Sequence, residues 1–277
     1  MAAVAVSRGG ARIRVKSRTH PTRLALSCFV FACAAAWAPD RTKHNAPTLC
    51  VAAAAPATAQ TTDQSQAAPT TGWITEYDTH VQAEVAKAPR LLALSAVRMR
   101  GLCPKWGTME IEARVRFYAD LLFAIAGAES RWKRTAMYKE TGIIDPRTGQ
   151  QTIDSVTGYP IISEGLLQLS YTDMRNYPPV GRLACTFDWT ADKLAFVDDL
   201  AASTGKKSFH SNHPERSILD PYLQLTCGVH VLNTLAARYP GKDFAFVAGR
   251  YWSTMRTGNA GFLEIVKSLK ARQSACF

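Results

Sequence analysis

The sequence predicts a mainly helical α+β domain, one helical body with a small β-hairpin or ordered loop inserted beside a cleft. Three observations carry this. Helix start and stop signals recur from Trp73 to the end of the chain. The longest helical stretch spaces its apolar side chains by fours and threes. Strand-like alternation is scarce and gathers in one polar stretch between Thr141 and Ile162.

The elements follow in order. A first helix is expected from Thr75 to Lys87, with Pro89 ending it. A second begins after Thr108 as N-cap, with Glu110 and Glu112 suited to the positive end of the helix dipole, and runs to about Ser130. Between Thr141 and Ile162, Asp145-Pro146-Arg147-Thr148-Gly149 is turn chemistry, and Ile143, Ile144, Ile153, Val156 and Ile161 suit short strands. A lid over the cleft is one role for this insertion. Ser170-Tyr171-Thr172-Asp173 has the spacing of a capping box and opens a helix stopped by Pro178-Pro179. Asp220-Pro221 places a cap before a proline at the first helical position, opening a helix to Tyr239 before Pro240-Gly241. Asp243 and Asn259 open two more.

Composition excludes several classes. With 47% hydrophobic and 20% charged residues, 17 Gly and 14 Pro, the 277-residue chain is not wholly disordered, collagen-like or a coiled coil. The net charge of +11 points to an acidic partner, but it is concentrated at the start. Residues 1–59 hold eight basic side chains and one acid, leaving 25 basic against 21 acidic residues after them. No nucleic-acid partner is expected from so small a surplus.

Six basic residues up to Arg23 precede the apolar run Leu24 to Ala38. That order reads as an export signal within a leader over 1–59, and the run is short for a membrane span. Ala36-Trp37-Ala38 and Ala57-Thr58-Ala59 are candidate cleavage sites, and Cys28 and Cys33 candidate lipidation sites. Residues 60–72 are polar and low in complexity, hence a tether. The folded domain is expected over 73–277, exported to a periplasm or secreted, without a membrane span, and a monomer.

Four cysteines remain in that domain, Cys103, Cys185, Cys227 and Cys276. An even number in an exported protein implies disulfides, and four cysteines allow three connectivities. We favour Cys185–Cys227, stapling the middle, with Cys103–Cys276 tying start to end. A zinc site drawn from His210, His213 and these cysteines lacks both C-x-x-C and H-E-x-x-H spacing, so no metal is expected. His210-x-x-His213 reads as a surface loop.

The chemistry concentrates at two places. Ile111, Val115, Tyr118, Leu122 and Ile125 form one apolar helix face, and the next step of four lands on Glu129. Loss of water and the negative end of the helix dipole both favour the protonated carboxyl there, as a general acid requires. The plainer alternative pairs Glu129 with Arg131 or Lys133 at a fraying helix end. Further on, Ser163-Glu164-Gly165-Leu166-Leu167-Gln168 combines a glycine permitting close approach, two leucine anchors and an amide able to donate and accept.

Together, Glu129-Ser130 and Gly165-Leu166-Leu167-Gln168 resemble the soluble lytic transglycosylase (SLT) family of the lysozyme-like superfamily. Asp220-Pro221 with its helix, and Tyr251 in Ala248-Gly249-Arg250-Tyr251-Trp252, look like later elements of that family. The resemblance covers roughly Cys103 to Arg256. It implies a lysozyme-like fold, peptidoglycan glycan strands as substrate and no cofactor. It makes Glu129 the single catalytic acid/base and Gln168 a substrate-positioning amide. Ser130, Ser163, Gly165 and Leu166 would shape the substrate site, with Tyr251 hydrogen-bonded near Glu129. Two departures stand out: the Glu129-to-Ser163 interval is longer than the family's, and Trp252-Ser253 replaces an Asn-containing run.

The implied reaction cuts the β-1,4 bond between N-acetylmuramic acid and N-acetylglucosamine, closing a 1,6-anhydro ring on the muramyl C6 hydroxyl. A hydrolytic muramidase is the alternative, and usually needs a second carboxylate. Glu140, Asp145, Asp154 and Glu164 could supply it, and Tyr138 and Glu140 are the best candidates for supporting the acid. A third reading is a non-catalytic glycan-binding module in which Trp132, Trp189 and Trp252 stack on sugars. G-x-S-x-G, a phosphate loop and Cys-Gly-x-Cys-Trp are all absent from the sequence.

Overall fold

A computed structural model describes residues 72–277. The leader over 1–59 and all but the last residue of the tether over 60–72 lie outside the described residues.

The chain is mainly helical with one small sheet. The helices are α1 (Thr75–Val85), α2 (Pro89–Leu92), α3 (Ala96–Met99), α4 (Ile111–Ser130), α5 (Asp173–Asn176), α6 (Trp189–Ala202), α7 (Pro221–Arg238), α8 (Phe244–Ala248) and α9 (Ala260–Arg272). The strands β1 (Ala136–Lys139), β2 (Ile162–Glu164) and β3 (Ser208–His210) form one antiparallel sheet in the order β2-β1-β3. This is the expected α+β class. No helix among the described residues is long and apolar enough to cross a membrane.

Helix α4 is the central element, packed against α1 and α9, while α7 packs on α1, α2 and α8. Its predicted stripe is graded. Ile111 is exposed and Val115 half-buried, whereas Tyr118, Leu122 and Ile125 are wholly buried. The inner face has therefore entered the core well before the helix reaches Glu129. Tyr118 keeps its phenol satisfied there by donating to the Leu91 carbonyl at 2.8 Å.

Capping chemistry sets most boundaries. Asp220 accepts from the backbone N–H groups of Tyr222 and Leu223, Asp243 from Phe246, and Asn259 from Gly261. These three helices start where expected. Thr108 is not the cap of α4. It closes a 3₁₀ turn over Trp106–Thr108 and donates to the Lys105 carbonyl, and Glu110 takes the cap position without a side-chain bond. The Ser170–Asp173 pair does form, since Asp173 accepts from both the amide and the hydroxyl of Ser170. The helix it starts is a single turn.

Both disulfides are the favoured ones, Cys103–Cys276 and Cys185–Cys227. The two disulfides fit an exported protein. The 141–162 stretch is an arm continuing the β1–β2 pair, with further bridges at Ile144–Gln151 and Ile153–Pro160.

Candidate active site

The end of α4 sets the site. Its chain reverses through two successive residues of positive φ, Arg131 (55°) and Trp132 (58°), where a non-glycine backbone is strained. The amides of Arg131 and Trp132 donate back to the carbonyls of Gly127 and Ala126, closing the helix. Trp132 folds over the last turn. Its indole N–H donates to the Phe123 carbonyl at 3.0 Å, and a Cβ on Gly127 would come within 2.7 Å of its ring. The direction of Glu129 is thus fixed by a packed turn rather than a fraying end.

Glu129 is half-buried and forms no ion pair among the described residues. Thr254 Oγ1 donates to its Oε1. Burial pushes its pKa above the ordinary glutamate value, the Thr254 contacts pull it back, and the negative charge of Glu140 raises it further. The net result is a carboxyl that holds its proton more tightly than one in water.

Glu140 arrives from the sheet. It follows β1 directly, its amide donates to the Ile161 carbonyl at 3.1 Å, and Ser163 Oγ donates to its Oε1 at 2.6 Å. Successive side chains of β2 point to opposite faces. Ser163 therefore opens to the cleft while Glu164 is wholly buried and meets Arg216.

The Gly165–Gln168 turn forms the floor. Gly165 has φ 76°, and a Cβ there would lie 2.6 Å from the side-chain amide of Gln224. Gln224, itself buried, clamps the turn. Its Oε1 accepts from Leu167 N–H at 2.9 Å, and its Nε2 donates to the carbonyls of Glu164 and Ile218. Leu167 seats against Gly228 of α7, where a Cβ would be 2.4 Å from its Cδ1. Gln168 sits at φ 52°, and its Nε2 donates to the carbonyls of Gly165 and Ala136 at 2.9 and 3.2 Å. Only its amide oxygen is left for a ligand.

These groups line one cavity of about 320 Å³, shared by Glu129, Glu140, Ser163, Gln168, Asp173 and Tyr251, with Ile143 and Ile161 of the arm on its wall. Asp173 is buried, and burial raises its carboxyl to about 6 despite hydrogen bonds from Tyr251 and Ser170.

The structure brings Glu129, Glu140, Ser163, Gln168 and Tyr251 together, and corrects the remaining expectations. Ser130 is buried and donates to the carbonyls of Ala126 and Leu166, both at 2.9 Å, so its hydroxyl is taken up in tying α4 to the floor. Leu166 is wholly buried, and the close approach that Gly165 permits is to the Gln224 side chain. Tyr138 is not on the cavity wall, and Lys207 Nζ lies 4.9 Å from its ring. Tyr251 donates to Asp173, not to Glu129.

Among the other acids, Asp145 binds Arg147 in its turn, and Asp154 accepts from three backbone amides, of Val156, Thr157 and Thr172. Trp252 is buried, with its indole N–H on the Leu167 carbonyl. Trp132 is taken up by the α4 turn, and Trp189 packs edge-on against Tyr171 and Phe196. His213 sits between Asp198 and Glu215. Among the described residues no three His, Cys, Asp or Glu side chains are placed to hold a metal.

Sequence reasoning missed Thr254 and Asp173 as site residues. Thr254 carried no signal, being 125 positions from its partner. Asp173 was visible only as a cap.

No family model and no curated protein sequence matches the chain. Solved structures of Bd0314 DslA, a Bdellovibrio protein, are similar in fold. The wild-type form aligns at 24% identity with a TM-score of 0.50, over 73% of this chain and 91% of that one. Two glutamate-to-glutamine mutants of DslA align over the same shares with the same TM-score, at 25% and 24% identity.

Proposed function

We propose that the protein cleaves the β-1,4 bond between N-acetylmuramic acid and N-acetylglucosamine in peptidoglycan, with Glu129 as the acid, and that it does so outside the cytoplasm. The observation carrying this is a half-buried carboxyl of raised pKa facing a second carboxylate, Glu140, in one cavity. Glu129 gives its proton to the bridging oxygen as the bond breaks. Glu140, held by Ser163, carries the negative charge that steadies the oxocarbenium-like sugar or draws a proton from the attacking water. The Gln168 amide oxygen accepts from a sugar hydroxyl or acetamido N–H.

Two carboxylates favour hydrolysis. The glutamates changed in the two DslA mutants stand eleven residues apart, the same interval as Glu129 to Glu140. This equality supports treating the two as a working pair.

Transglycosylation is the second reading, favoured by the Glu129-Ser130 and Gly165–Gln168 segments, which are joined through the Ser130–Leu166 hydrogen bond. In that course Glu129, once deprotonated, removes the proton of the muramyl C6 hydroxyl, and that oxygen closes the anhydro ring without water.

Digestion of purified sacculi followed by mass analysis tests both. Hydrolysis gives reducing-end muropeptides; dominant products one water lighter assign the anhydro course instead. Glu129→Gln should abolish release while the protein still sediments with sacculi. Undiminished cleavage by this variant would overturn both readings.

A further inference from the structure

The cleft continues past its carboxylates to two arginines. Arg256 borders two hollows, the one holding Glu129 and a second of about 310 Å³ lined by Phe246, Gly249, Arg250 and Thr257. Its guanidinium is partly tethered, because Nε donates to the Gly249 carbonyl at 3.1 Å. Gly249 permits this: a Cβ there would lie 3.2 Å from Arg256 Cγ and 3.3 Å from its Cα. The outer nitrogens remain. Neither Arg250 nor Arg256 forms an ion pair among the described residues, and Arg250 rests 5.9 Å from the ring of Tyr239.

Charge is therefore segregated along one surface. Glu129, Glu140 and Asp173 occupy the first hollow, and no acid lines the second. A neutral sugar chain is indifferent to that gradient, but a strand with anionic branches is repelled at one end and held at the other. Guanidinium groups bind carboxylates through paired N–H donors. The exposed ring of Phe246 gives the same hollow an apolar wall.

We infer that Arg250 and Arg256 form a carboxylate-binding subsite continuous with the cleft, which takes the acidic peptide branch of a muramyl residue and makes branched strands better substrates than bare ones. This rests on the glycan reading of the cleft. The subsite also sets the register, because the branch anchors the strand relative to Glu129.

The test compares kcat/KM on glycan strands carrying their peptides with the same strands stripped by an amidase. The protein should prefer branched strands by about tenfold, the range for a charge-assisted hydrogen-bonded contact. Arg250→Gln and Arg256→Gln should each lower that ratio, the pair should bring it close to one, and Arg256→Lys should restore part of it. Equal rates on both substrates, or a ratio unchanged in the double variant, overturn the subsite. If neither substrate is cut, the glycan reading fails by itself. Calorimetry with amidase-released peptide and the Glu129→Gln protein then decides the subsite. Binding that disappears with both arginines replaced supports it, and no binding at the outset overturns it.

Discussion

Ser163 donates its hydroxyl hydrogen to Glu140 at 2.6 Å, so the second carboxylate of the cleft is held by β2 and not by the arm that follows it. The contact is made across the β1–β2 pair, whose register sets Tyr138 opposite Ser163. Ser163→Ala should leave the fold intact and free the Glu140 side chain to rotate. We expect kcat on sacculi to fall about tenfold or more with KM little changed, consistent with loss of a hydrogen bond to a charged group. Steady-state kinetics check this. A rise in KM alone would mean that Ser163 binds sugar and does not position Glu140.

Behind the floor, three buried carboxyls gather around one cation. Arg216 contacts Glu164 and Asp199, and Asp192 is linked to it through the Tyr171 hydroxyl. One positive charge cannot balance three acids in a dry interior, and burial pushes Glu164 up to about 8. Arg216→Met should therefore cost about 3–5 kcal/mol by stranding buried charge, whereas Glu164→Gln should be nearly neutral near pH 4, where both side chains are uncharged, and stabilising at pH 7. The sign of the pH effect follows from the raised value. Glu164's contribution to stability is complete below its unfolded pKa of 4.5 and is lost as pH rises through about 8, because the unfolded chain gives up the proton first. Denaturant melts from pH 4 to 9 should show this decline, flattened in Glu164→Gln. A stability that climbs with pH over the same window would refute the assignment.

What the sequence displayed and what it hid divide along contact range. Asp220-Pro221, Asp243 and Asn259 were readable because a cap acts within three residues. Glu129 was readable because it interrupts a helical period. Helix α6 was not foreseen. Its buried face mixes Asp192 and Asp199 with Phe196, while Leu194 is 84% exposed, so no continuous apolar stripe marks it as an amphipathic helix. Those acids are buried because donors reach them from other segments: Ser211, Asn212 and Arg216 for Asp199, and Tyr171, Ser217 and Ile218 for Asp192. Glu140 was one of four candidate acids, and only the strand register, a nonlocal property, separated it from Asp145, Asp154 and Glu164. Thr254 depends on distant packing in the same way. It lies against Gly261 of α9, where a Cβ would come within 2.8 Å of its own.

The two disulfides should differ in worth. Cys103–Cys276 spans 173 positions and Cys185–Cys227 spans 42. Loop-closure entropy assigns them about 5 and about 4 kcal/mol respectively. Replacing Cys103 and Cys276 together by alanine should lower Tm by roughly 10–20 °C, and the other pair by less. Calorimetry of the two double variants checks the order. If losing Cys185–Cys227 proves the more damaging, native packing around the bridges outweighs chain entropy.

Thr254 sets how readily Glu129 gives up its proton. Its hydroxyl donates to Glu129 Oε1, a contact that favours the carboxylate and opposes the upward push of burial and of Glu140. Thr254→Val keeps the shape and removes the donor. The protonated acid then gains, and the pKa of Glu129 rises further. If Glu129 is the acid in glycan cleavage, the limb of kcat/KM on which activity falls with rising pH should move upward by about one pH unit, as expected for a charge-assisted hydrogen bond worth about 1.5 kcal/mol or more. Thr254→Ser should keep the limb in place. A downward shift would mean that the hydroxyl stabilises the protonated form, and an unmoved limb would reduce Thr254 to packing against α9.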